Sequence, residues 1–167
     1  MTPTQYRDQV AKLARTDPRK GNEIGKKIDD PWFQAQAWSH LARWADRPLP
    51  FARKAAKAAA ETKDDYQRSA VRAWEIAALA ERQLSVQARR SLREAVDVAV
   101  SVTPIGSRAE SLFLLFQAAF KISAEAAATV SEAFDTSCNA THWRVVRARK
   151  EMVRMLNGEM PPREFFW

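Results

Sequence analysis

Apolar residues return every three or four positions through most of the chain, the signature of helices that bury one face. The bulky members gather in alternate stretches: Trp38, Leu41 and Trp44; Val71, Trp74 and Ala78; Leu112, Phe113, Phe116 and Phe120; Val145, Met152 and Leu156. Between them runs a helix that is almost pure alanine on its apolar side, with Ala52, Ala55, Ala56, Ala59 and Ala60 at three- and four-residue spacing. A bulky helix against a small-residue helix fills space without voids. Breaks are marked by capping residues ahead of prolines, at Asp17-Pro18, Asp30-Pro31 and Thr103-Pro104, and by Ser85, Ser123 and Thr141 ahead of apolar runs. This pattern predicts helices over residues 4–15, 18–28, 31–46, 50–62, 65–82, 86–100, 104–120, 124–135 and 141–156, with a turn at 162–166.

Shifting the chain against itself by 36 residues aligns Gln36, Arg72, Arg108 and Arg144, then Ala37, Ala73, Ala109 and Val145, and pairs Trp38 with Trp74. Asp29, Asp65, Ser101 and Ser137 share that register as capping types. So do Ala52, Ala88 and Ala124, Lys54 with Arg90, and Lys57 with Arg93. Small, capping and basic columns in one register predict a repeated helical hairpin. The fold expected is all-α, one domain over residues 1–160 with hairpins at 4–28, 31–62, 65–100 and 104–135, a last helix at 141–156, and an aromatic tail at 161–167.

The stretch Asp29-Asp30-Pro31-Trp32-Phe33-Gln34-Ala35-Gln36-Ala37-Trp38-Ser39-His40-Leu41-Ala42, echoed more weakly from Asp64-Asp65 through Ala70, Ala73, Trp74 and Ala77, resembles the helical-hairpin repeat superfamily of HEAT-like and tetratricopeptide-like proteins. The resemblance spans residues 17–156 and implies a short right-handed α-solenoid. It departs from the tetratricopeptide pattern in its period and in lacking that family's tryptophan, glycine and tyrosine arrangement. Such proteins are binding or scaffolding modules, so the resemblance implies a protein or peptide partner, without naming one.

Charge adds a second candidate partner. The chain carries 27 basic and 20 acidic residues, a net charge of +7. Residues 1–60 hold 12 basic against 6 acidic, so most of the excess lies there. A polyanion such as nucleic acid is the alternative partner, bound through its backbone, in a chain resembling helical-repeat DNA-repair glycosylases. The acid such an enzyme needs has no clear place among Asp46, Asp97 and Asp135.

The column Arg72, Arg108 and Arg144, with Arg147 beside its last member, is the candidate binding ridge, because guanidiniums at one repeat position can grip spaced phosphates or carboxylates in bidentate fashion. The competing reading is that their stems cover apolar surface and their heads pair with Glu75, Glu110 or Asp65. Arg53, Lys54, Lys57, Arg89, Arg90 and Arg93 read as the solvated side of the second helices. The basic helix Trp143–Arg154 is either a polar cap on the stack or a binding helix. Gly21 and Gly25 mark either a tight crossing or a frayed first hairpin. Phe165, Phe166 and Trp167 must fold back or meet a partner, since three aromatics in water would adhere.

Chemistry is otherwise sparse. One cysteine and two histidines exclude a disulfide framework and every multi-cysteine metal site. Cys138 and His142 are the one nucleophile–base couple the chain permits, with no third group to orient the imidazole. His40 reads as a packing residue. Asp29-Asp30 and Asp64-Asp65 read as caps rather than paired catalytic acids. These observations call for no cofactor, no metal and no enzyme activity. With no apolar run long enough for a membrane span and no signal-like segment, a cytoplasmic location is expected.

Overall fold

A computed structural model describes residues 1–167. The chain is all-helical: α1 Pro3–Thr16, α2 Pro18–Gly25, α3 Pro31–Trp44, α4 Pro48–Ala60, α5 Asp65–Ala70, α6 Arg72–Glu81, α7 Ser85–Ala99, α8 Ile105–Ile122, α9 Ala124–Ser137 and α10 Trp143–Leu156. Helix ends lie within three residues of the expected ones. No helix is long and apolar enough to cross a membrane.

Side-chain caps start several helices. Asp17 accepts from the Lys20 amide at 3.0 Å, Asp64 from Gln67 at 2.8 Å and Ser123 from Ala126 at 3.0 Å. Thr2 and Gln5 form a reciprocal capping box. Four expectations are corrected here. Asp30 caps α3 as expected ahead of Pro31 and Asp64 caps α5, but Asp29 and Asp65 of the repeat register do not cap, because the carboxylate must sit just outside the first helical residue to reach amides two and three positions on. Pro104 is not the first helical residue: it is extended, its carbonyl takes the first bonds from Ser107 and Arg108, and α8 starts at Ile105. Thr141 yields its capping role to His142, whose Nδ1 accepts from the Arg144 amide. Residues 162–166 carry no regular secondary structure, neither helix nor turn.

The stretch 65–82 divides at Val71 into α5 and α6. Ser69 Oγ donates back to the Asp65 carbonyl at 2.7 Å and also meets Ser111 Oγ at 2.6 Å. A hydroxyl returned to the preceding turn bends a helix.

Helices α1, α3, α6, α8 and α10, here called the first helices, pack in succession, each on the next. Between them, α2, α4, α7 and α9 each touch both the first helix before and the first helix after. The largest of three cores gathers Ile76, Leu112, Leu115, Phe116, Phe134, Val145 and Met152, and the second gathers Val10, Ala14, Ile24, Trp38 and Leu41. Trp74 packs against both. It is half-buried, where full burial between hairpins was expected, and its indole meets Trp32 and Phe166 edge-on. Trp44 is 42% exposed, with Arg15 and Arg43 over its ring, and belongs to no core. On α4 the buried alanines are Ala52, Ala55, Ala58 and Ala59, while Ala60 turns to solvent.

Gly21 and Gly25 form a tight crossing. A methyl at Gly25 would stand 2.6 Å from the Trp38 ring, and one at Gly21 would stand 3.1 Å from Leu41. The glycines thus let α2 lie directly on α3. Gly25→Ala is expected to destabilise the protein by about 1–3 kcal/mol, overpacking outweighing the propensity gain at a helix end. Urea melts check this: a stabilised variant would show that Trp38 moves aside freely.

Candidate functional site

The expected arginine ridge is not one free surface. Arg72 is 13% exposed, its Nε bonded to Glu75 and its Nη2 to Glu94 on α7 at 3.2 Å. Glu75 is buried and also accepts from Ser91 Oγ at 2.7 Å. Burial pushes the Glu75 carboxyl up, against the pull of Arg72 and Ser91. Arg108 donates to the Val102 carbonyl at 2.9 Å and to the Ser137 carbonyl at 2.5 Å, tying the α7–α8 loop to the end of α9. Arg144 pairs with Glu110 at 3.1 Å beside Trp143, and its Nε is buried without a partner. Arg147 is the most exposed of the four, 3.6 Å from Glu151. Equal spacing along the chain did not give equal positions on helices, since Arg72 opens α6, Arg108 is the fourth residue of α8 and Arg144 the second of α10, and the carbonyls and acids nearby differ at each.

Arg144 and Arg147 do border a cavity of about 220 Å³, floored by Ala109, Phe113 and Ala148 and walled by Trp143 and Phe165. This cavity opens onto a longer feature that the sequence did not reveal. Residues 161–167, without regular secondary structure, cross the first helices from α10 over α8 and α6 to α3. The Arg163 amide donates to Gln117 Oε1 at 2.8 Å and its guanidinium to Glu151 at 2.7 Å. Glu164 pairs with Lys121 at 2.9 Å. Phe165 meets Phe113, and Phe166 is buried with its ring edge to Trp74 at 5.4 Å. Trp167 Nε1 donates to Glu81 at 2.8 Å, while its ring lies 5.1 Å from His40 and under Arg43 at 4.4 Å.

Each helix presents its share of this face as a stripe. Phe113, Gln117 and Lys121 are four apart on α8, Trp74 and Glu81 seven apart on α6, and His40 and Arg43 three apart on α3. Glu81 is the hub: its carboxylate accepts from Lys121, Arg43 and Trp167 together. Partial burial alone would raise this carboxyl, but those three donors hold it below the usual range. Gln117 is buried and fixed by its amide contact to Met155 Sδ, so its oxygen faces the segment. The readable signal was the α8 stripe, where an aromatic, an amide and an ammonium recur at helical spacing. It was obscured by the apolar run around it.

The remaining candidates lie elsewhere. Cys138 is buried at the end of α9, where burial pushes its thiol up, opposite to what a nucleophile needs. His142 spends Nδ1 on the α10 cap. No group of three or more His, Cys, Asp or Glu converges where it would hold a metal ion. The outer basic residues of α4 and α7 are largely exposed, with Lys54 over the Trp38 ring at 4.7 Å. Comparison with known proteins adds no relative: no family model, no curated protein and no solved structure matches the chain.

Two outcomes are expected. Arg72→Ala strands the buried Glu75 carboxylate and should cost about 3–5 kcal/mol in denaturant melts, the mark of a structural ion pair. A loss under 1 kcal/mol would return Arg72 to the candidate ligands. The second concerns His40, which burial, then Arg7 and Arg43, hold down to about 4 from 6.5. Between these values the unfolded chain binds a proton that the folded chain refuses, so stability is full above 6.5 and falls as pH drops. By pH 5 the loss from this group should be about 2 kcal/mol. Melts of the native chain and His40→Gln at pH 7 and pH 5 isolate it: equal losses in both would refute the assignment.

Proposed function

We propose that the chain is a non-catalytic interaction or scaffolding module, a short right-handed α-solenoid of helical hairpins that binds a protein or peptide along the outer face of its first helices. One observation carries the reading. Residues 160–167 make no backbone–backbone hydrogen bond to the helices, yet they lie ordered across four of them through side-chain contacts and the bond from the Arg163 amide to Gln117. A bound peptide is held in this manner, with side chains in separate niches and a main-chain amide fixing the register. The aromatic walls and the charged points Lys121, Arg43, Glu81 and Glu151 supply both area and direction, the ingredients of a peptide site.

The nucleic-acid alternative draws on the positive excess, most of it exposed in residues 1–60, but several arginines beyond them serve the fold. Arg82 donates to the carbonyls of Ala42, Arg43 and Ala45, Arg108 to those of Val102 and Ser137, and Arg149 to that of Cys138. Arginines fastened to helix ends have few donors left for phosphates.

Peptide display against the full chain, native and Trp167→Ala, tests the reading. Enriched peptides should lose about tenfold or more in affinity on Lys121→Ala, with circular dichroism unchanged. Labelled single- and double-stranded DNA, titrated at two salt concentrations, should show no saturable binding. Saturable DNA binding weakened by Arg147→Ala, with no peptide enriched, would replace this reading by the alternative.

A further inference from the structure

The order of niches along the face specifies what fits it. From α8 toward α3 they are an ammonium at Lys121, an aromatic edge at Phe113, a deep slot beside Trp74, and a site made by Glu81, Arg43 and His40. The last accepts an indole N–H at Glu81 while Arg43 covers the ring, a demand that Trp meets and that Phe, lacking the N–H, does not. Resting on the peptide-binding reading above, we infer that the partner is an extended segment with an acid followed by two aromatics and a tryptophan. Residues 161–167 occupy its place in cis and are displaced when it binds.

Displacement is built into the way the segment is held. Its link to α10 passes through Gly158, at φ 73° with nothing within 4 Å of where a side chain would start, and then through Pro161 and Pro162. Residues 161–165 remain exposed, and Phe166 is the one side chain fully committed to the core. Releasing the segment therefore breaks no helix and no backbone ladder, and its cost is confined to exposing Phe166 and Trp167 and unpairing Gln117 and Glu81, contacts that a partner of the same chemistry restores. The cis arrangement also leaves space unused. Phe165 is 40% exposed, and the cavity of about 220 Å³ beside it, between Trp143 and Phe113, takes a larger side chain than the one now at its edge. A partner filling that cavity gains contacts the cis segment does not make.

Competition follows from the tether. A short link holds the segment at an effective concentration on the order of millimolar, so the apparent affinity for a free ligand is scaled down by the fraction of open molecules. The probe is the synthetic heptapeptide Pro-Pro-Arg-Glu-Phe-Phe-Trp, blocked at both ends and labelled, titrated into the full chain. Phe166→Ala, which weakens the cis segment and leaves the helices intact, should bind the probe at least about tenfold more tightly than the native chain. Adding Lys121→Ala should reverse that gain, and a scrambled heptapeptide should not bind. Should Phe166→Ala melt early, Trp167→Ala, which alters a surface contact, serves as the second opened chain. Equal affinity of native and opened chains would overturn the cis competition. An opened, folded chain that ignores the heptapeptide but binds a display-selected peptide would overturn the partner chemistry alone. One that binds neither would overturn the peptide-binding reading as well.

Discussion

Size complementarity between neighbouring helices is the constraint on which the molecule rests. Trp38 lies against Gly25, Leu41 approaches Gly21, and Phe116 and Phe134 share a core with Ala73, Ala77, Ala118 and Ala126. Small and bulky residues meet between helices and also share one, as Ala118 and Phe116 do on α8. A chain of alanine-rich helices alone would bury too little apolar area, and a chain of aromatic helices could not bring its backbones together. Alternating the two lets each helix pair present its unfilled side to the next, which is why contacts run in succession from α1 to α10.

That arrangement leaves the outer side of the first helices with aromatic surface that no second helix covers. Trp32 meets both Tyr66 and Trp74 there, and Trp74 continues to Phe166. The residues around this strip are neither a hydrophobic patch nor a charged one. Gln117, Lys121, Glu81 and Arg43 interrupt it with directional groups whose own partners lie partly within the helices and partly in residues 163–167. Surface of this mixed kind distinguishes between sequences, because each polar group left without its counterpart is a cost to the wrong occupant.

The positive charge has a different fate from the one its sum suggests. Arginines reach across helix boundaries to carbonyls at helix ends, where the unpaired C=O groups and the dipole both favour a cation. Others meet acids on the neighbouring helix, as Arg72 meets Glu94 and Arg43 meets Glu81. A net charge counts these residues as surface field, whereas in the fold they fasten one helix to another, and the exposed excess stays in residues 1–60.

What the sequence determined by itself was local. Helix positions followed from three- and four-residue apolar spacing, and helix starts from Asp17, Asp30, Asp64 and Ser123, because capping and amphipathicity act within one or two turns. The break at Val71 escaped notice, and the Ser69 hydroxyl beside it meets Ser111 on another helix, a contact no local pattern announces. The candidate face was legible only in its pieces: His40 looked like packing, Gln117 and Glu81 drew no attention, and Arg72, Arg108 and Arg144 drew too much. Whether an arginine is free is decided by what lies within about 3 Å of its guanidinium, and for Arg108 that is a carbonyl 29 residues away. Tertiary structure alone also brought Trp167 to Glu81, 86 residues apart, because a contact at that separation leaves no period in the chain. Local rules write the helices into the sequence, and the surface they compose together exists only once they are packed.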